Sequence, residues 1–342
     1  MLESDFVKKQ LILVGFTILI LGLILLNLFL GKATIKFDAV WMTFLGKSPD
    51  EMTQNLILHY RLPKTITAIL VGIALPVAGF QLQELFKNEL AEPSVLGISA
   101  MSGLGVAIVI FLFSTLGFQH LLNDSWIIIF AAMLGALLAL LIIGSFAHRI
   151  KSSAILIILG MMLSGLSVAF IGILQYFAPS ERIKTYLIWS FGTLSALSWT
   201  QISIFALCVC IGTFLACLTL NRLTALLLGE TYAQTLGVNI RQLRWTILIS
   251  TALLTAAVTA FAGPISFIGL AVPHLCRSLL KTANMKLLFG SIILLGISLM
   301  LFFSALSDMF PFGTLPINII TSLFGTPIVI SILLKNSKSL NP

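Results

Sequence analysis

The chain has 342 residues, of which 58% are hydrophobic and 9% charged, and its mean hydropathy is +1.09. A soluble globular domain carries about 25% charged residues, so a water-soluble domain is excluded, as are disordered, collagenous, coiled-coil and secreted disulfide scaffolds. The net charge of +8 does not indicate nucleic acid, because the basic residues are scattered over connections instead of gathering on one face.

What remains is an all-α polytopic membrane protein. One span needs about 20 apolar residues, so the length allows roughly ten to twelve of them. No stretch is long and polar enough for a second, soluble domain. Residues 1–342 are therefore expected to form a single transmembrane domain, with any energy-supplying domain on another chain or absent.

The first apolar run, 11–30, follows Lys8 and Lys9. It exceeds the usual h-region of a signal peptide and no small-residue cleavage site follows, so it reads as a retained helix. Further spans are expected at 62–80, 94–114, 125–147, 154–177, 200–220, 243–262, 266–280, 287–307 and 316–334, ten in all. The runs at 62–80 and 266–280 are the shortest and contain Pro63, Pro76 and Pro273. They are expected to be irregular or half-length helices packed inside the bundle. Three connections are long: 31–61, 178–199 with Trp189 and Trp199 as interface anchors, and 221–242.

Ten spans put both termini on one side. Placing them inside gives the inner connections thirteen Lys and Arg and the outer ones seven, the bias expected of cytoplasmic loops. Most of the outer excess lies in 31–64.

The chemistry is sparse. No charged residue falls in the middle of an expected span, which weighs against a proton-driven carrier. Asp308 and Asp124 come nearest and read as helix-end carboxylates. Gly46-Lys47-Ser48 ends like a phosphate-binding loop, but Trp41 stands where the first glycine is required. His59, His120, His148 and His274 lie far apart, and Cys208, Cys210, Cys217 and Cys276 fall in or beside apolar spans. No metal site is expected from either set, nor any cofactor. The methionines read as packing residues. Gly97, Gly103 and Gly105 in one span, and Gly160, Gly165 and Gly172 in another, read as close-packing positions or as faces along a path. No nucleophile sits beside a base, so no catalytic residue is expected and the chain reads as a conduit powered elsewhere.

Three stretches carry a resemblance: Arg61-Leu-Pro-Lys64 with Leu70-Val-Gly-Ile-Ala-Leu; Gln83 through Glu92-Pro93 with Leu96-Gly-Ile-Ser99; and Gly229-Glu230, Leu236-Gly-Val238, Ala262 through Leu270 and Pro273-His274. Together they resemble the FecCD family of ABC-importer permeases over about residues 11–335. The resemblance implies a homodimer or heterodimer of ten-helix subunits, with the path at the interface. It also implies two cytoplasmic ATPases, an external substrate-binding protein and a cargo of iron(III)–siderophore, haem or cobalamin, the siderophore placed first.

It further implies roles for residues. The inner loop 221–243 would form two short helices that couple to the ATPase through Leu226, Gly229, Glu230, Gln234, Leu236 and Gly237. Arg61 would face outward and dock the binding protein, with Lys64 beside it. The fifth and tenth helices would line the path with Ser164, Ser167, Gln175, Asn318, Thr321 and Ser322. One departure is evident: the stretch Asp308 to Pro316 lacks the arginine and the Glu-Leu-Pro of many members, with Thr314 where the glutamate would fall. Lys47, Arg182 or Lys184 are the candidates to replace that docking charge. The family's two halves are pseudo-symmetric, but direct similarity between the halves of this sequence is too weak to claim. An ion-gradient carrier and a non-transporting scaffold remain the readings of another class.

Overall fold

The computed structural model describes residues 2–31, 35, 37–47, 50–115, 124–147, 153–195, 197–310 and 313–340. All regular structure among them is helical. Ten helices form the bundle: α1 Leu2–Phe29, α2 Leu62–Phe86, α3 Ile98–Thr115, α4 Ser125–Ala147, α5 Ser153–Tyr176, α6 Trp199–Leu227, α7 Ile240–Ala262, α8 Ile268–Leu280, α9 Met285–Asp308 and α10 Ile317–Leu340. Seven of the described helices are long and apolar enough to cross a membrane, and three shorter apolar ones, in α3, α8 and α10, complete the expected ten. His120, His148, Arg149 and Lys151 lie outside the described residues, as do the side chains of Lys8, Lys9, Lys32, Lys36, Lys335 and Lys338.

The expectation for 62–80 holds for its burial inside the bundle and is corrected for its length. α2 is a 25-residue helix and almost wholly buried, the axis on which α6, α7, α8 and α9 pack. Pro63 sits in its first turn, where a missing N–H leaves nothing unsatisfied. Pro76 is internal and removes the bond to the Gly72 carbonyl. That carbonyl lies against Gly296 of α9, so close that a Cβ there would stand 2.1 Å from it. α8 does match the expectation of a half-length helix, at 13 residues.

Glycine lets the bundle close up, because lipid offers no hydrophobic drive between helices and backbone proximity must supply the packing. A Cβ on Gly79 of α2 would lie 1.8 Å from the Gly269 carbonyl of α8, and one on Gly105 of α3 would lie 2.2 Å from the Ala131 carbonyl of α4. Gly165 and Gly172 of α5, by contrast, have open space around them.

Some of the polar groups inside link one helix to another. Asn27 Nδ2 donates to the Leu301 carbonyl at 2.9 Å and joins α1 to α9. Ser250 Oγ of α7 lies 2.8 Å from both Gln81 Oε1 of α2 and the Gly212 carbonyl of α6. Helix starts carry caps: Ser198 and Gln201 form a capping box on α6, and Asn239 and Asn284 cap α7 and α9. Asp124 accepts from the Trp126 amide at the start of α4. The long connections hold structure of their own: short helices Phe37–Phe44 and Glu51–Leu56, and the 11-residue helix Ser180–Ser190.

Candidate functional site

Three regions bear the residues singled out in the sequence. At the N-terminal end of α2, Arg61 is only 4% exposed. Its Nη1 donates to the carbonyls of Leu28 at 2.7 Å and Phe29 at 2.9 Å. A guanidinium on the last carbonyls of α1 satisfies orphan acceptors and complements the helix dipole. Gly31 makes room for it, since a Cβ there would lie 2.9 Å from Arg61 Nη2. Lys64, one turn on, is 5% exposed. Its Nζ pairs with Asp308 Oδ2 at 2.5 Å and tethers α2 to the last residue of α9. The expected outward-facing docking pair is thus turned into the protomer. Sequence distance hid this: Leu28, Arg61 and Asp308 meet only after α1, α2 and α9 assemble. Lys47 and Lys184 remain exposed, and Arg182 is half-buried.

At the other end, α6 runs on to Leu227 and the chain turns at Gly229, with φ 107°. Glu230 opens a short helix, Glu230–Thr235, and its carboxylate meets Arg244 Nη2 at 2.7 Å. The Gly237 amide donates to the Gln234 carbonyl and the Val238 amide to the Ala233 carbonyl. This pair of bonds is a Schellman closure, and Gly237 takes its left-handed position at φ 81°. The loop therefore forms one short helix where two were expected; the second is absorbed into the first turn of α7, capped by Asn239. Leu226 and Ala233 are buried and hold the helix down, while Leu228, Tyr232, Gln234 and Leu236 point away from the protomer.

Beside this loop the ends of α2, α6, α8 and α9 line a half-open cleft of about 440 Å³. Arg277 crosses it, donating from Nη1 to Gln83 Oε1 at 2.6 Å and from Nη2 to Glu84 Oε1 at 2.7 Å.

The third region comprises α5 and α10. α5 rests on α3 and the turn Pro93–Leu96; α10 rests on α8 and α9. Both present broad apolar faces, Met162, Leu166 and Ile173 on α5 and Ile319, Leu323 and Ile330 on α10. The polar residues picked from the sequence divide. Ser167 and Thr321 are buried in the protomer and bond to their own helices through the Leu163 and Asn318 carbonyls. Asn318 accepts from the Ser266 amide at 3.3 Å and so ties α10 to the α7–α8 turn. Ser164, Gln175 and Ser322 are half-buried.

One buried carboxylate was passed over in the sequence reading. Glu92, quoted there only within a longer motif, is 8% exposed and accepts from the Phe267 amide at 2.7 Å. Its signal was a carboxylate directly before Pro93. Among the described residues no group of His, Cys, Asp or Glu is arranged to hold a metal ion.

A half-length α8, a capped loop helix and ten spans around a buried axis make a specific pattern, and a family model described as the FecCD transport family matches residues 18–335. The chain belongs to the FecCD transport family. The vitamin B12 import system permease BtuC of Vibrio cholerae is 33% identical over 97% of this chain and 95% of its own. The molybdate import system permease MolB of Haemophilus influenzae is 31% identical over 93% of each chain. Among solved structures, a chain of a metal-chelate-type ABC transporter in an inward-facing conformation superposes with a TM-score of 0.83 at 28% identity, over 95% of this chain and 99% of that one. This FecCD chain is accordingly a multi-span membrane protein, the permease subunit of an ABC importer.

Proposed function

We propose that the chain works as one half of a permease dimer in the cytoplasmic membrane, with both termini cytoplasmic. A separate ATPase pair would couple to the segment 221–243 and a substrate-binding protein would deliver cargo outside. The observation that carries this reading is the Glu230–Thr235 helix. It is anchored by Leu226 and Ala233, closed by Gly237, and leaves Leu228, Tyr232 and Leu236 uncovered. Aromatic and aliphatic anchors held on a rigid turn are what a partner pocket can grip. Gly229, Glu230, Gln234 and Gly237 set the geometry, and closure of the ATPases would push α6 and α7 through it.

Docking outside is assigned to the exposed charges Lys47 and Lys184 with Arg182. Rim charges of this kind chiefly steer and register a partner. Arg61 and Lys64 support that surface from beneath by fixing α1, α2 and α9. Ser164, Gln175 and Ser322 mark the polar points of the path along α5 and α10. The apolar faces of those helices suit a bulky chelate that must leave readily.

We place iron(III)–siderophore first as cargo. The metal-chelate structure supports a chelate in general, and the likeness to BtuC favours cobalamin as the second reading. The test is ATP-dependent uptake of a radiolabelled ferric chelate by cells with and without the chain, competed by unlabelled cobalamin, haem and molybdate. Loss of iron uptake without the chain, indifferent to the competitors, supports the siderophore. Iron uptake that persists, or that cobalamin suppresses, rejects it.

A further inference from the structure

Between α2 and α3 the chain folds back along the bundle. Lys87 turns it with a left-handed backbone, φ 49°, and Glu89 Oε2 comes to 3.4 Å from His274 Nδ1 of α8. Glu92 then accepts from the Phe267 amide, and the Ser94 side chain hydrogen-bonds to the same carboxylate. Immediately after, Val95 and Leu96 lie on α5: a Cβ on Gly160 would stand 2.4 Å from the Val95 carbonyl. Residues 87–97 are thus a strap with one attachment on α8 and the other on α5.

The α8 end of the strap continues to α10. Phe267 precedes the first turn of α8 in a left-handed conformation, φ 69°. Its side chain abuts Gly325 of α10, where a Cβ would lie 2.3 Å from Phe267 Cβ. The neighbouring Ser266 amide donates to Asn318 Oδ1 of α10. A bulky residue held left-handed carries strain and persists only where its surroundings impose it. The Glu92 carboxylate, at the positive end of the α8 dipole, is the group that does so.

We infer that Glu92 is a positioning residue that locks the 87–97 strap to the start of α8 and thereby fixes α5 and α10 relative to one another during transport. The inference rests on the reading of α5 and α10 as the path helices. None of the described ion pairs includes Glu92. Its charge is met by an amide and a hydroxyl, and burial pushes its carboxyl up to about 7 against the lowering effect of those hydrogen bonds. Because burial outweighs those hydrogen bonds, the locked position holds the protonated acid more firmly than the carboxylate, so the lock is firm below about 7 and slackens above it. The charged groups nearest along the packed elements are Glu89 on the strap, His274 and Arg277 on α8 and Glu84 on α2; Glu84 and Arg277 are paired together and Glu89 faces His274. α3 and α5 contain no Asp, Glu, Lys, Arg or His.

The test uses the assembled importer in liposomes, reading ferric-chelate uptake per ATP hydrolysed from about pH 6 to about pH 8, the window set by the raised carboxyl. Wild type is expected to lose about threefold of its coupling toward the alkaline end. E92Q, which keeps a carbonyl acceptor and cannot titrate, should be flat, while H274Q should retain the step. E92A should lose about tenfold at every pH. A second measurement on the purified chain alone is hydrogen exchange over 263–270, corrected for intrinsic rates. Protection should fall above neutrality in wild type, not change with pH in E92Q, and be lost in E92A. An E92Q profile like wild type, a step that H274Q abolishes, or unchanged exchange in E92A would overturn the lock. A wild-type importer that moves no chelate with ATP would instead reject the proposed function, and exchange would still decide the lock.

Discussion

Buried charge is the theme at the scale of single residues. Lys64 and Asp308 face each other with almost no access to solvent. Removing one partner strands the other, which typically costs about 3–5 kcal/mol, whereas removing both is far milder. K64A and D308A are each expected to lower the melting temperature of the purified protein strongly, and K64A/D308A to recover most of the loss. Additive losses would mean that the pair does not act as a unit. Glu92 obeys a different sign rule. Its folded pKa is raised above the ordinary carboxylate value of 4.5 to about 7, so ionisation in the folded state is penalised. Its contribution to stability is present below the ordinary value and declines as pH rises toward 7. E92Q lacks that decline, so its melting temperature relative to wild type should climb from about pH 5 to about pH 7 and then level off. Stability and lock therefore weaken together as pH rises, and uptake per ATP hydrolysed, which a merely stabilising group would leave unchanged, separates a positioning role from a stabilising one.

Elements depend on where their small residues fall. Gly79 and Gly269 bring α2 and α8 into backbone contact, and no rotamer change can relieve an added methyl there. G79A should abolish folded protein in a detergent extract. G172A, on the open face of α5, should leave stability within about 0.5 kcal/mol. The loop helix Glu230–Thr235 behaves as a separate small device. L236D and Y232D alter only exposed side chains, so both should fold normally yet weaken ATPase capture at least about tenfold, the scale of a lost anchor. G237V forces a β-branched residue into φ 81° and should weaken capture by unwinding the closure, with a parallel loss of helix protection in hydrogen exchange. The Glu230–Arg244 pair is half-exposed and contributes at most about 1 kcal/mol, so the geometry of the turn matters more than that contact.

The arrangement of the whole molecule leads to an orientation that can be measured. If the termini are cytoplasmic, a cysteine replacing Lys184 should react with an impermeant maleimide in intact cells, and one replacing Leu236 only after permeabilisation. The reverse pattern would invert the topology. Ten spans, their order and the half-length α8 were legible because apolar length and proline placement act locally, through hydration and backbone geometry. The loop helix was expected only through the family resemblance, which implied two helices; Gly229 and Gly237 bound the one that forms and Glu230 starts it. The length of α2 was not legible, because its prolines argue for irregularity in isolation. Its burial among four helices, with Gly72 against Gly296, accompanies an unbroken 25-residue helix despite Pro76. Arg61, Lys64 and Glu92 were misjudged or missed because the sequence names a charge without its dielectric. Whether a cation near a helix end faces water or a carbonyl depends on what packs over it. Composition and apolar length thus determined the solvent and the number of spans, and the resemblance of three ordered motifs gave the family. Tertiary structure decided which charges are withdrawn from solvent and paired inside, since partners 33 residues apart, as Arg61 and Leu28, or 175 apart, as Glu92 and Phe267, are brought together only by the packing of the helices between them.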